Sequence, residues 1–220
     1  MKLYHGSQFI IEKPGYRKGK AHNDYGYGFY CTEYPDLARE WSVDISHDGY
    51  INCYELDTTE LTMLDLNQYG TLTWLSILLE NRILDLNTPL SREAANYIEN
   101  EFGIDYSGYD LIKGYRADDC YFSFAYDFIN GAISLEQLSE AMHLGELGNQ
   151  IVLKSRNSFD KIKLISTEEV KKVIWLPKKE ARNFKAKKAY HSIDKKYIKG
   201  DLYILRILDE EIKRNDARLR

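Results

Sequence analysis

A chain of 220 residues, 44% hydrophobic and 29% charged, suits a soluble globular protein with one full core and a small appendage. No run approaches the roughly eighteen uninterrupted apolar residues of a membrane span, and Met1-Lys2-Leu3-Tyr4-His5-Gly6 turns polar at once, which argues against a secretory signal and for the cytoplasm. The net charge of −4 is unevenly spread: residues 1–170 carry 14 Lys and Arg against 27 Asp and Glu, while residues 171–220 carry 16 against 7.

In chain order, a strand is expected at residues 2–5 and a second at 28–32, both rich in aromatic or branched residues. Pro35 can open a helix that places Leu37, Ala38 and Trp41 on one face. A strand at 50–56 precedes a helix on which Leu72, Leu75, Leu79 and Ile83 recur at three- and four-residue steps. Helices over Glu93–Phe102 and Cys120–Ile129 flank a strand at 109–113. Ser134 and Gln137 form a capping-box pattern ahead of Leu138, Ala141 and Met142. Strands at 150–154 and 161–165 complete an α+β order of strands interrupted by helices. After Thr167 the texture changes. Residues 178–199 are dense in Lys, and Leu202, Leu205, Leu208 and Ile212 make the apolar stripe of an amphipathic helix expected over residues 201–217. Two units are expected, a core domain over 1–167 and a basic helical extension over 168–220 packed on it. The extension's charge suits nucleic acid, but equally a fold-back onto the acidic body or a solvated surface.

Three segments carry the candidate chemistry. In Tyr4-His5-Gly6-Ser7 a short strand ends in a polar, tightly turning triplet; His5 has a donor and an acceptor for a ribose hydroxyl, and Gly6 lets a flat ring lie against backbone. In Tyr25-Gly26-Tyr27-Gly28-Phe29-Tyr30-Cys31-Thr32, glycines alternate with aromatics into a strand. Trp41 follows eleven residues after Tyr30, so two rings held by a strand and a helix can sandwich a cationic nicotinamide, or simply belong to the core. In Gly148-Asn149-Gln150-Ile151-Val152 an amide sits at the mouth of an apolar strand, where Gln150 suits a ribose hydroxyl or solvent. Arg17, Lys18 and Lys20, between the first two segments, face phosphates or water. Cys31, Cys53 and Cys120 lack CxxC spacing and read as reduced thiols, and His22, His47, His143 and His191 have no metal-ligand spacing, so no metal is expected.

Taken in order, these segments resemble the His-Tyr-Glu branch of the ADP-ribosyltransferases, which holds diphtheria toxin and the poly-ADP-ribose polymerases. The likeness is greatest to a bacterial group of that superfamily described mainly as a domain of unknown function. That group combines Tyr-His-Gly-Ser, Gly-x-Gly-Phe-Tyr-x-Thr, Arg-Ala-Asp-Asp (here Arg116-Ala117-Asp118-Asp119) and a Gln on the last strand. The resemblance covers residues 2–166 and implies a split β-sheet core with surrounding helices. It implies that His5 holds the nicotinamide-side ribose, Gly6 the carboxamide, and Tyr30 and Trp41 the nicotinamide ring, with Ser7 among the NAD-binding residues. Gln150 stands where active relatives carry a glutamate. Arg17 and Arg116 would meet the diphosphate, and Asp118 and Asp119 either cap a helix or serve the acceptor.

The implied activity is mono-ADP-ribosyl transfer, with NAD as substrate, no metal, and an unidentified protein or nucleic acid as acceptor. The implied setting is a bacterial toxin with a cognate antitoxin, or a defence locus. Gln150 cannot supply the glutamate's charge, which argues against chain elongation. It leaves single transfer, NAD glycohydrolysis, or a catalytically weak module that binds NAD or ADP-ribose.

Overall fold

The computed structural model describes residues 1–116, 119–142, 148–192 and 196–219, without the side chains of residues 119–121. Its centre is a seven-stranded sheet built from β1 (Lys2–Ser7), β2 (Phe29–Thr32), β3 (Gly49–Leu56), β4 (Met63–Asp65), β5 (Leu111–Tyr115), β6 (Asn149–Leu153) and β7 (Ile162–Val170). The strands lie in the order β4-β5-β6-β2-β1-β3-β7, and only the β4–β5 pair is parallel.

One junction differs from the rest. β1 pairs with β3 along its full length, from Lys2 opposite Glu55 to Ser7 opposite Tyr50. Its pairing with β2 is confined to Tyr4 opposite Thr32. The sheet therefore opens between its two central strands just where the His-Gly-Ser triplet begins.

Eight helices surround the sheet among the described residues: α1 (Pro35–Ser42), α2 (Thr71–Asn81), α3 (Pro89–Phe102), α4 (Asp119–Ile129), α5 (Leu135–Ala141), α6 (Arg156–Asp160), α7 (Lys172–Ser192) and α8 (Ile204–Asp209). Strand alternation separates two cores. Val152 and Ile112 face a layer made by α2 to α5, with Leu75, Ile98 and Phe128 at its centre. Leu3, Cys31, Leu111, Ile151 and Leu153 face the other way, onto Tyr54, Phe159 and Ile162. Each large side chain buried in this way contributes about 1.5–3 kcal/mol.

The elements depart from their expected places for local reasons. β4 is too short for periodicity to register, and α6 is one turn opened by Ser155, whose hydroxyl accepts from the Ser158 amide. α3 starts earlier than Glu93 because Thr88 and Ser91 cap each other around Pro89. Ile83 lies beyond the end of α2 and is 81% exposed. The Ser134–Gln137 box ahead of α5 is formed. The fifth strand lies two residues later than expected, following a turn in which the Asp110 carboxylate accepts from the Thr62 amide and hydroxyl.

The long C-terminal helix expected over 201–217 is replaced by the short α8. Ile204 and Ile207 are its buried pair, joined by Leu202 and Ile212, while Leu205 points outward. The expected division after residue 167 falls inside β7, and α7 follows β7 after a single residue. Tyr190 of α7 packs its ring 3.8 Å from that of Phe124 and donates to Asp127, so the basic segment shares the main core. No helix is long and apolar enough to cross a membrane, among the described residues.

Candidate functional site

A cleft of about 760 Å³ opens at the β1–β2 junction. Phe29 and Tyr30, successive residues whose side chains leave β2 on opposite faces, both line it, so it passes into the sheet instead of lying over one face. His5, Gly6, Tyr30, Trp41, Arg116 and Gln150 all line this cleft, drawn from β1, β2, α1, the end of β5 and β6.

His5 bridges the opening. Its Nδ1 lies 2.7 Å from the Tyr30 carbonyl oxygen, a group that only accepts, so Nδ1 carries the proton. Burial pushes the imidazole pKa below its ordinary value, which keeps the ring neutral and leaves Nε2 as an acceptor. The ring rests on Phe29 with centroids 4.4 Å apart.

Gly6 is required by packing on its outer side. A Cβ there would stand 1.9 Å from the Ala38 carbonyl oxygen and 2.8 Å from the Ser42 amide, so α1 can approach β1 only over a glycine. That approach carries Trp41, at the end of α1, into the cleft. The Tyr30 hydroxyl donates to the Gly26 carbonyl at 2.7 Å and accepts from the Tyr25 amide at 3.0 Å. Burial raises its pKa well out of the working range, so the phenol is neutral. Gly26 sits at φ +68°, a turn open to glycine, and Lys154 donates to the Tyr25 and Tyr27 carbonyls from the other side. The loop before β2 is thus fastened at both faces.

Gln150 lines the cleft and is bonded within the protein through its amide nitrogen. Its Nε2 donates to Asp24 Oδ2 at 2.8 Å and to the Tyr115 carbonyl at 3.2 Å. Both partners are acceptors, which fixes the amide orientation. Asp24 is 4% exposed, lines the cleft, and receives Arg82 Nε on its other oxygen at 2.9 Å. A carboxylate this buried persists only with such partners. The cleft therefore has a carboxylate within hydrogen-bond distance of residue 150, contributed by the loop before β2.

Arg116 lies with its guanidinium carbon 4.4 Å from the centre of the Trp41 ring, so one indole face already carries a planar cation. Two polar atoms of the cleft wall, Trp41 Nε1 and Asn183 Oδ1, are buried with no hydrogen-bond partner among the described residues.

Some expected members fall elsewhere. The Ser7 hydroxyl donates to the Phe9 carbonyl at 2.5 Å and accepts from Asn52 Nδ2 at 3.0 Å, turned away from the cleft. Arg17 adopts φ 58° and lines a neighbouring cavity of about 500 Å³ beside Tyr16, while Lys18 faces the main cleft. Lys20 lines neither cavity. Asp118 lies outside the described residues; Asp119 begins α4, and its side chain is likewise not described. Among the described residues, no group of three or more His, Cys, Asp or Glu could hold a metal.

Sequence reasoning missed Asp24, Arg82 and the face of α7 formed by Lys179, Asn183 and Lys187, all of which line the cleft. The four-residue spacing of the last three was the available signal.

The sequence model of the family described as "Protein of unknown function (DUF3990)" matches residues 1–164. No curated protein and no solved structure matches the chain.

Proposed function

The chain belongs to the DUF3990 family, whose description names no activity, and from that premise we propose that its cleft binds the nicotinamide end of NAD and catalyses mono-ADP-ribosyl transfer. The observation that carries this reading is the convergence of His5, Tyr30, Trp41 and the Asp24–Gln150 pair on one cleft at the opened centre of the sheet. The split-sheet ADP-ribosyltransferase core implied by the sequence resemblance is part of the same proposal.

His5 Nε2 accepts from a ribose hydroxyl, and the Tyr30 and Trp41 rings hold the nicotinamide. The bond between ribose C1′ and the nicotinamide nitrogen breaks, its electron pair passing to the ring, which leaves as neutral nicotinamide. Positive charge moves to the ribose, where a lone pair of the acceptor forms the new bond and the acceptor's proton goes to water. Asp24 stabilises the ribosyl cation in place of the glutamate that residue 150 lacks, since a fixed charge in a water-poor site acts strongly on a developing charge. Gln150 holds Asp24 in position. Gln150, held by Asp24 and the Tyr115 carbonyl, is uncharged and too weak a base to draw the proton from an acceptor hydroxyl. That favours an acceptor carrying its own nucleophile, or water, so NAD hydrolysis is the second reading. The toxin setting, with a cytoplasmic acceptor and an antitoxin, is proposed from the resemblance alone.

Incubation with labelled NAD tests these readings. Nicotinamide release with label on protein or nucleic acid is the expected result, and release with free ADP-ribose supports hydrolysis. Binding without release would reduce the protein to an NAD-binding module, and no binding would overturn the assignment. Tyr30→Ala is expected to abolish turnover.

A further inference from the structure

We propose that α7 and the loop before β2 form an anion-binding wall of the cleft that takes the diphosphate of a dinucleotide. As a subsite for NAD, this rests on the reading of the cleft given above.

The charge census of the cleft is one-sided. Lys13, Lys18, Arg82, Arg116, Lys179 and Lys187 line it, against Asp24 as the one carboxylate among the described lining residues. Arg82 is engaged by Asp24 and Arg116 lies on Trp41, so these two belong to the nicotinamide end. Four lysines make up the rest of the positive lining. Lys13 and Lys18 come from the loop, and Lys179 and Lys187 come from α7, two turns apart on one helix face with Asn183 between them.

This face is held firmly against the body. Arg182 Nε donates to Glu40 Oε2 at 2.7 Å in a pair whose side chains are 14% and 9% exposed, so α7 is pinned to α1 one residue before Asn183. Lys179 Nζ donates to the Val43 carbonyl at 3.1 Å, just past the end of α1. Ala186 and Tyr190 bury the inward stripe of the helix. The lysines of α7 are thereby presented by a rigid element, and Asn183 adds a buried carbonyl oxygen lacking a hydrogen-bond partner among the described residues, suited to a ligand hydroxyl. A compact dianion receiving ammonium groups from two sides matches this arrangement, because phosphate oxygens accept charge-assisted bonds from lysine. The family match ends at residue 164, so the whole α7 contribution comes from outside it.

Calorimetric binding to the full chain tests the wall with four probes: NAD, nicotinamide riboside, inorganic pyrophosphate and a single-stranded oligonucleotide. Lys179→Ala/Lys187→Ala is expected to weaken NAD and pyrophosphate by about tenfold or more while leaving nicotinamide riboside unchanged. Wild-type binding of pyrophosphate but not NAD would overturn the NAD reading and keep the wall. Unchanged affinity of the double variant for pyrophosphate would overturn the wall, whatever NAD does. Loss of affinity for a single-stranded oligonucleotide alone would likewise overturn it, moving the lysines to an acceptor surface. A circular dichroism melt matching that of the wild type shows that the double variant is folded.

Discussion

Gln150 and Asp24 share a hydrogen bond of 2.8 Å although 126 residues separate them, and the second proton of the same amide is spent on the Tyr115 carbonyl. A carboxylate and an amide thus stand side by side at the mouth of β6. Gln150→Glu alone would set two carboxylates against each other, which cannot both ionise at that distance. The expected result is no gain in NAD cleavage and a stability loss of about 1–3 kcal/mol. Asp24→Asn is expected to lower nicotinamide release at least a hundredfold, taking the loss of one electrostatic contact at ~2.7 kcal/mol. The exchange Asp24→Asn/Gln150→Glu restores one charge and one amide, and recovery of turnover in the double variant is expected. A double variant no more active than Asp24→Asn would show that the charge must stand at residue 24.

His5 makes stability depend on pH. Its folded pKa is lowered by burial, whereas the unfolded chain titrates near 6.5, so below that pH the unfolded state takes up a proton that the folded state resists. The contribution is complete above about pH 6.5 and is lost as pH falls from there toward the lowered folded value. Urea unfolding at pH 7.5 and 5.5 is expected to show a drop in the wild type that is smaller in His5→Gln. NAD affinity should hold through most of this range and fall only where the folded imidazole itself takes up the proton, at its lower end, because that removes the Nε2 acceptor. Equal pH slopes for the two proteins would refute this.

Gly6→Ala forces a methyl group into the Ala38 carbonyl. The expected penalty is ~1–3 kcal/mol, with weakened NAD binding because α1 carries Trp41 away as it shifts. Gly108→Ala is the control. It meets nothing within 4 Å and should change the melting free energy by less than about 0.5 kcal/mol.

Arg116 occupies a face of Trp41 that a cationic nicotinamide would also use. Arg116→Ala is expected to tighten nicotinamide riboside binding severalfold, by removing a like charge and freeing an aromatic face worth ~1 kcal/mol. Trp41→Ala should weaken the same ligand. Calorimetric titration of both variants checks the pair, and weaker binding in Arg116→Ala would assign the guanidinium to the ligand's anionic part.

What could be read from the sequence was local. His5, Tyr30 and Trp41 sit at a strand end, in a strand and at a helix end fixed by nearby glycines and Pro35, so order and spacing were enough to group them. Asp24 could not be grouped with them because Arg82 and Gln150, which it meets, are 58 and 126 residues distant and its own loop has no periodicity. Arg17 and Lys18 were indistinguishable as neighbours in a basic loop; the positive φ at Arg17 turns adjacent side chains into different cavities. α7 was obscured by its lysines and by Pro177 inside the helix, which lacks an amide donor. Tertiary bonds, Arg182 to Glu40 and Tyr190 to Asp127, hold it.

β7 is the edge strand on the β3 side, and the family match ends at residue 164, two residues after that strand begins. A fragment cut to the matched region would bare the β3 amides and carbonyls from Cys53 back to Gly49, now paired with Ser166 to Val170. Such an open edge recruits strands from other molecules. The second half of β7 thus works as a selvedge, keeping the weave from fraying into its neighbours, and shortened versions of this protein should precipitate before they simply lose activity.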